Sequence, residues 1–553
     1  MYAIYQAICD ELGLDAAGEQ LWAKAVASKD STVLRIRHRG GQHTWGLIAA
    51  DLRWGCELCL RAAVDLIDAY YADQAEEAFH DEGARELLSK FFELHQVALS
   101  VTNAYAPQNW SVCFPVAMCS RCGAVPRPAA ALREVFIHDL MTAPNPVQSQ
   151  DTGGVRSVSA ETFIAATRAA IGYAAIVGNP YDGGEEPAAV LIEGPVRTSL
   201  NAHDNEVAGG KGRSEAQAIA SFLGEALERY FLTGIFGTAR LVAGESDLPG
   251  AVSPIAEFGY PASDEHPTIT PYSTDLSVEW LASTRLDTEA DVFMPADMAL
   301  CPERPRDRRA EVFSVGSTTG ASAGATVDDA TTQALLELIE RDAFWYYART
   351  RRTMSTIAPH LIPMPIKAEL EGRDGRFVFH VLDNPFGVPV VHATYRAHDP
   401  HGSRSARGIG AAASFEQACM RAYVECLQMY HSLSLGIEVD ESAHDMRALW
   451  YRGTALTALP NFFDDTQRLD AVPQGLPDAT LGTLLTQITR AGHTAYRTIL
   501  TTTGSFAVVR VALTAISVSD ATYFRNNDRL TQFSVSLGHG PAAPAVYRGS
   551  TYM

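Results

Sequence analysis

Apolar residues fall along this chain in two patterns. Short, mostly apolar runs, AAVLI (188–192), FVFHVL (377–382) and FAVVRVAL (506–513), have the length and the β-branched and aromatic content of buried strands. Longer stretches between them repeat their apolar positions every three to four residues, the spacing of one helical face. Strands and helices alternating in this way from about residue 155 to 553 predict a large domain of α/β (α+β) class. Residues 1–150 carry mainly the helical period and predict a smaller, mostly helical domain, with APNPVQSQDTGG (143–154) reading as a linker between the two.

Three of the helical stretches are variations on one unit. GGKGRSEAQAIASFLGEALER (209–229), GASAGATVDDATTQALLELIER (320–341) and GIGAAASFEQACMRAYVECLQ (408–428) each run from a glycine-rich turn into a helix. Each helix carries a polar triplet spaced i, i+4, i+7: Ser221, Glu225 and Glu228; Gln333, Glu337 and Glu340; Arg421, Glu425 and Gln428. That spacing sets each triplet on one helical face, while the positions between are largely Ala, Leu and Ile. A single Glu-x2-Glu-Arg on a helix is ordinarily a solvated surface feature. Two copies, each with a glycine 13 residues before the first glutamate (Gly212 and Gly324), are hard to account for as decoration. If the first two helices face each other, Glu225, Glu228, Glu337 and Glu340 converge, and four carboxylates share a site only with cations between them. Mg2+ suits such a site, because it takes oxygen ligands and leaves positions open for phosphates. Neither glycine segment is a P-loop of the form G-x4-G-K-[ST].

Charge narrows the partners. A net charge of −21, from 65 acidic against 44 basic residues, argues against nucleic acid and anionic membrane surfaces. No run approaches about 18 apolar residues, and the start MYAIYQAICDELG lacks the basic-then-apolar layout of a signal peptide, so a cytoplasmic location is expected. Six of the 9 cysteines lie before residue 143. Cys56-x2-Cys59 and Cys119-x2-Cys122 have the spacing of a closed tetrahedral zinc site. The 59 residues between the pairs exceed the usual zinc-ribbon separation. Ordinary helical cysteines or redox pairs are the alternatives, although no thioredoxin-like βαβ pattern surrounds them.

On these residues the chain resembles the YcaO family, whose signatures are Ser-x3-Glu-x2-Glu-Arg and Ser-x6-Glu-x3-Gln-x3-Glu-x2-Glu-Arg. Ser221, Glu225, Glu228 and Arg229 meet the first; Ser322, Gln333, Glu337, Glu340 and Arg341 meet the second, with Asp329 in place of its first glutamate. The similarity runs from about residue 155 to 530 and takes in GIG (408–410) and RAYVECLQ (421–428). It implies an ATP-dependent activation of a peptide amide, with Glu225, Glu228, Asp329, Glu337 and Glu340 holding Mg2+. Lys211, Ser221, Arg229, Ser322, Gln333, Arg341 and a late arginine, Arg529 or Arg525, would lie near the ATP. The cysteine settings GCELCLR (55–61) and CFPVAMCSRCG (113–123) are similar to the zinc-bearing part of the ubiquitin-activating-like domain fused to azoline-forming members. This implies structural Zn2+ at Cys56, Cys59, Cys119 and Cys122 and selects the ring-forming subfamily.

The implied reaction is cyclodehydration of Cys, Ser or Thr in a ribosomal precursor peptide to thiazoline or oxazoline. No leader-binding winged-helix segment is apparent in the N-terminal region, so a separate leader-peptide-binding protein is expected, together with an azoline dehydrogenase and a homodimeric state. The tail departs from the family: only Pro541 and Pro544 stand where azoline-forming members have Pro-x-Pro-x-Pro, and TAIS (514–517) replaces Pro-Gly-Leu-Glu. The catalytic base is thereby open, with His539 a candidate because imidazole titrates near neutrality. Thioamide or amidine formation, or a catalytically silent scaffold, are the alternative readings.

Overall fold

The glycine-rich segments ahead of the repeated helices are strands. A computed structural model describes most of residues 157–541, the chief exceptions being 259–268, 397–404, 435–458 and 517–527. Ahead of these it describes the backbone of short strands between residues 26 and 112 and two pieces around 55–63 and 113–123. The linker at 143–154, Arg525 and the tail beyond residue 541 lie outside the described residues.

Strands β1 (Val26–Ala27), β2 (Ser31–Arg37), β3 (His43–Ala49), β4 (Ser100–Thr102) and β5 (Trp110–Val112) pair antiparallel in sequence order. The N-terminal region, expected to be mostly helical, therefore contributes a sheet. The local signal for it is the period-two alternation of Leu34 and Ile36 with Arg35 and Arg37.

Downstream follow β6 (Tyr181–Glu186), β7 (Ala189–Val196), β8 (Glu206–Gly212), β9 (Arg240–Ala243), β10 (Val278–Arg285), β11 (Ala290–Pro295) and β12 (Ala321–Gly324). After them come β13 (Ser355–Ile357), β14 (Arg376–Val381), β15 (Val390–Arg396), β16 (Ser405–Ala411), β17 (Arg468–Leu469), β18 (Ala495–Thr502) and β19 (Ala507–Leu513). The three apolar runs read as strands fall in β7, β14 and β19. These strands form three sheets, in the orders β6-β7-β8, β11-β10-β18-β19-β12 with β9 beside β10, and β16-β15-β14-β13-β17. The long helices are α1 (Ala160–Thr167), α2 (Glu215–Phe231), α3 (Val327–Thr350), α4 (Phe415–Ser434), α5 (Leu481–Arg490) and α6 (Arg529–Ser536).

The repeated unit is an edge strand, a turn of two or three residues that ends in a hydroxyl cap, and a helix folded back on that strand: β8–α2, β12–α3 and β16–α4. Ser214, Thr326 and Ser414 end the turns, their hydroxyls accepting from the amides of Gln217 (3.3 Å), Asp329 (3.1 Å) and Gln417 (3.3 Å). The strands carry glycine because the helix backbone lies directly on them. A Cβ on Gly210 would sit 2.0 Å from the Ala218 carbonyl oxygen, and one on Gly408 2.1 Å from that of Ala422. Glycine-rich sequence reads as a turn because glycine is a poor strand former. Here close approach of a helix selects it instead.

α2 buries Phe222, Leu223, Ala226, Leu227, Tyr230 and Phe231 and turns its Ser221–Glu225–Glu228 stripe the other way. α3 is buried nearly all round, from Ala330 to Arg349, as befits a helix that packs on both larger sheets. The cysteine pieces share one hydrophobic core with α2 and the central sheet, so the two predicted domains are packed together there. Among the described residues no helix is long and apolar enough to cross a membrane.

Gly408→Ala is expected to destabilise the fold by about 1–3 kcal/mol through overpacking. Gly224→Ala, within α2 with no atom within 4 Å of the new methyl group, is expected to stabilise it by about 0.5–1 kcal/mol through helix propensity. Denaturant unfolding of the two variants checks both signs.

Candidate functional site

The three units interlock as a ring. Glu225 on α2 accepts from the Gly209 amide of its own strand at 3.2 Å, and Glu228, one turn on, accepts from Ala323 of the next unit's strand at 2.8 Å. The second unit repeats this: Glu337 accepts from Gly320 at 2.9 Å and Glu340 from Ala411 of the third strand at 2.9 Å. Gly320 lies in the left-handed region at φ 86°, a conformation that favours glycine. The third unit closes on the first. Glu425 meets Lys211 of β8 at 3.1 Å, and the Gln428 amide occupies the space a side chain at Gly209 would need, 2.3 Å from its ideal Cβ. β8, β12 and β16 each end a sheet, so the carboxylates take amides that lack a ladder partner on that side.

The ring is electrically crowded. Burial and the neighbouring Glu425 push Glu340 up to about 7, and burial likewise raises Glu337. Glu425 is half-buried, and Lys211, Arg341 and Arg407 outweigh its desolvation and hold it below the usual carboxylate range. Arg407 on β16 lies 4.5 Å over the Phe344 ring, and burial together with Arg341 pulls it down to about 10. Burial has the same effect on Arg510 of β19, which faces Glu337 and donates to the Ser317 carbonyl at 2.6 Å. The carboxylates are thus pinned by fixed amides, with cationic side chains between them.

The cysteine pairs also come together. Cys56, Cys59, Cys119 and Cys122 are all buried, their sulfurs lie within 4.8 Å of one another, and the Cys56–Cys119 and Cys59–Cys122 separations are 3.5 Å. That is far longer than the ~2.05 Å of a disulfide and near the ~3.8 Å edge of a tetrahedron with ~2.3 Å Zn–S bonds. The Val116 amide donates to Cys59 Sγ at 3.2 Å, an outer-shell contact typical of thiolate metal sites. The donor set therefore fits Zn2+.

The family model described as YcaO cyclodehydratase, ATP- and Mg2+-binding, matches residues 209–515, from the first glycine of the ring to just beyond β19. The chain belongs to the YcaO family. Its fold is similar to that of a heterocyclase in complex with substrate and cofactor (TM-score 0.66, 18% identity), covering 98% of this chain and 78% of that one. It is also similar to the heterocyclase TruD, with TM-score 0.55 and 17% identity over 90% of this chain and 72% of that one. The YcaO protein of Methanopyrus kandleri bound with AMPPCP and Mg2+ matches with TM-score 0.51 and 20% identity, over 68% of this chain and 95% of that one. An uncharacterized protein of Methanothermobacter thermautotrophicus is 31% identical over 145 residues, 26% of this chain. The match spans 34% of that relative's length.

Most residues of the two YcaO motifs gather at the ring. Ser221 is half-buried one turn before Glu225. Arg229 is held by Glu225 at 2.6–2.9 Å and pairs with Glu206. Ser322 is buried on β12, Gln333 accepts from Arg421 at 2.7 Å, and Arg341 lies 3.8 Å from Glu337. Three predicted residues have other partners. Asp329 accepts from the amide (3.3 Å) and hydroxyl of Ser157, just ahead of α1. Arg529 is buried in a fork with Asp342, its Nε at 2.9 and 3.0 Å, and reaches His493 at 3.2 Å, which fastens α6 to α3. His539 is exposed beyond α6, 3.4 Å from the Tyr346 hydroxyl. Glu425 was legible as a member of the third triplet, whereas Arg407 and Arg510 announce themselves in sequence only as lone charges inside apolar strand runs.

Because the folded state binds the Glu340 proton more tightly than a free glutamate near 4.5, this group favours the fold at low pH. That contribution is lost as pH rises through about 7. Glu340→Gln keeps an acceptor for the Ala411 amide and removes the charge. It is expected to stabilise the metal-free protein near pH 8 by on the order of 1–3 kcal/mol, a gain that shrinks toward pH 4.5. Urea unfolding at the two pH values checks it.

Proposed function

We propose that this chain uses ATP and Mg2+ to convert Cys, Ser or Thr residues of a ribosomally made precursor peptide into thiazolines or oxazolines. The observation that carries the reading is the ring: carboxylates from three helices closing on three sheet edges, with Lys211, Arg341, Arg407 and Arg421 among them. An amide oxygen is a poor leaving group and a phosphorylated one a good one. The peptide's own thiol or hydroxyl gives up its proton to a base and attacks the preceding carbonyl carbon, and the resulting oxyanion takes the γ-phosphoryl of ATP. The C–O bond then breaks as the ring C=N bond forms and the nitrogen loses its proton, leaving ADP, phosphate and a peptide lighter by one water.

Mg2+ at this site supplies charge neutralisation to the transferring phosphoryl oxygens. Glu225, Glu228, Glu337 and Glu340, with Glu425 added, are the groups to hold it, and their amide contacts fix their direction beforehand. Lys211, Ser221, Arg229, Ser322, Gln333 and Arg341 line the nucleotide. Asp329 pairs with Ser157 and Arg529 with Asp342 in this structure, so neither is given a role here, and the base is left unassigned. Zn2+ in the four-cysteine knuckle is structural, and its link to the catalytic domain supports the azoline-forming reading. A separate leader-binding protein, a downstream azoline dehydrogenase and a homodimeric state belong to the same reading.

With precursor and leader-binding partner, the protein is expected to release phosphate and to yield peptide lighter by one water per ring. Glu337→Gln is expected to reduce both by about 100-fold or more with its fold intact. No phosphate release from the wild type would sink the proposal. Peptide that exchanges oxygen for sulfur without losing water would reassign the same site to thioamide formation.

A further inference from the structure

The four-cysteine knuckle and the first glutamate helix meet at a single peptide group. The Pro115 carbonyl accepts from the Tyr230 hydroxyl at 2.7 Å, while the N–H of that same peptide, on Val116, donates to Cys59 Sγ at 3.2 Å. Tyr230 directly follows Arg229 in α2 and is fully buried, its ring edge-on to Phe114 at 6.0 Å and to Phe231 at 5.2 Å. The Cys119 amide donates to the Val116 carbonyl at 3.0 Å, so the second half of the knuckle holds the next peptide along. A second brace runs through Arg197, which is 1% exposed and donates to the Cys59 carbonyl at 2.7 Å and the Ala175 carbonyl at 3.1 Å. Arg197 immediately follows β7, the hydrogen-bonded neighbour of β8.

We infer that Tyr230 is a positioning residue through which the metal state of the knuckle sets the last turns of α2, and with them Glu225, Glu228 and Arg229. The inference rests on the reading of the ring as the nucleotide site. A metal-bound Cys59 is an anionic acceptor for the Val116 N–H, and a peptide that donates to an anion becomes a better acceptor at its own carbonyl. The phenol is thus held most firmly when the knuckle is loaded. Without the metal the four thiols have nothing to gather them, the peptide plane is free to turn, and a fully buried phenol loses its acceptor. A helix end that loses this anchor loosens the carboxylates two and five residues before it, and with them their amide contacts.

Tyr230→Phe in the full chain keeps the ring packing and removes only the hydroxyl. Zinc content is expected to stay as in the wild type, amide hydrogen exchange across residues 225–232 to speed up by about five-fold, and AMPPCP–Mg2+ to bind about five-fold more weakly, the factor that one net buried hydrogen bond carries. By linkage, AMPPCP–Mg2+ is expected to raise zinc affinity in equilibrium competition with a chelator in the wild type and to do so less in Tyr230→Phe, a reciprocity that a merely structural tyrosine would not show. Unchanged exchange, or faster exchange with unchanged nucleotide affinity, overturns the inference. A wild type that binds no AMPPCP–Mg2+ while its exchange still responds to the substitution sinks the nucleotide reading of the ring and leaves the link between knuckle and helix standing.

Discussion

A glutamate accepting a backbone N–H from the open edge of a β-sheet is the contact on which this structure turns. Sheet edges are ordinarily a liability, because their unpaired amides invite other strands. Here β8, β12 and β16 bring three such edges to one place, and Glu225, Glu228, Glu337 and Glu340 satisfy amides along them. The same contacts tie each helix to its own strand or to the next one. Three sheets with no shared ladder are joined this way into one body. The arrangement packs carboxylates closely among Lys211, Arg229, Arg341, Arg407, Arg421 and Arg510, so each acid is held by a fixed amide or a cation, and removing one partner leaves the other without its compensation.

The parts of the fold legible in sequence were those written in local periodicity. The runs at 377–382 and 506–513 are strands because nothing but burial on both faces suits such composition, and the polar triplets lie on one face because 3.6 residues make a turn. What sequence left open was set by tertiary approach. Gly210 and Gly408 look like turn residues until the helix lying on them is seen. Lys211 looks like a surface charge in a glycine loop, and its partner Glu425 is 214 residues away. Arg529 sits late in the chain where a phosphate ligand was expected, yet Asp342 takes its guanidinium, a pairing that no spacing rule predicts. The cysteine pairs were the reverse case: CxxC spacing pointed to their gathering, which the structure shows, while their attachment to α2 was hidden.

That attachment changes how the chain divides. The residues gathered as an N-terminal domain do not stand apart, since Phe114, Val116 and the four cysteines are members of the core that contains Phe222, Tyr230 and the central sheet. A metal knuckle small enough to lack a core of its own has taken a share of its neighbour's. Around these residues the four-cysteine knuckle is packed on α2 and shares its core.

At Gly210, Gly324, Gly408 and Gly410 an added methyl group would run into helix backbone 2.0–2.6 Å away, so the seams between these strands and their helices offer mutation almost nothing to edit. Variation within such a frame is pushed out to the loops and to the outward positions of α1 and α4, while the seams stay the same from one descendant to the next.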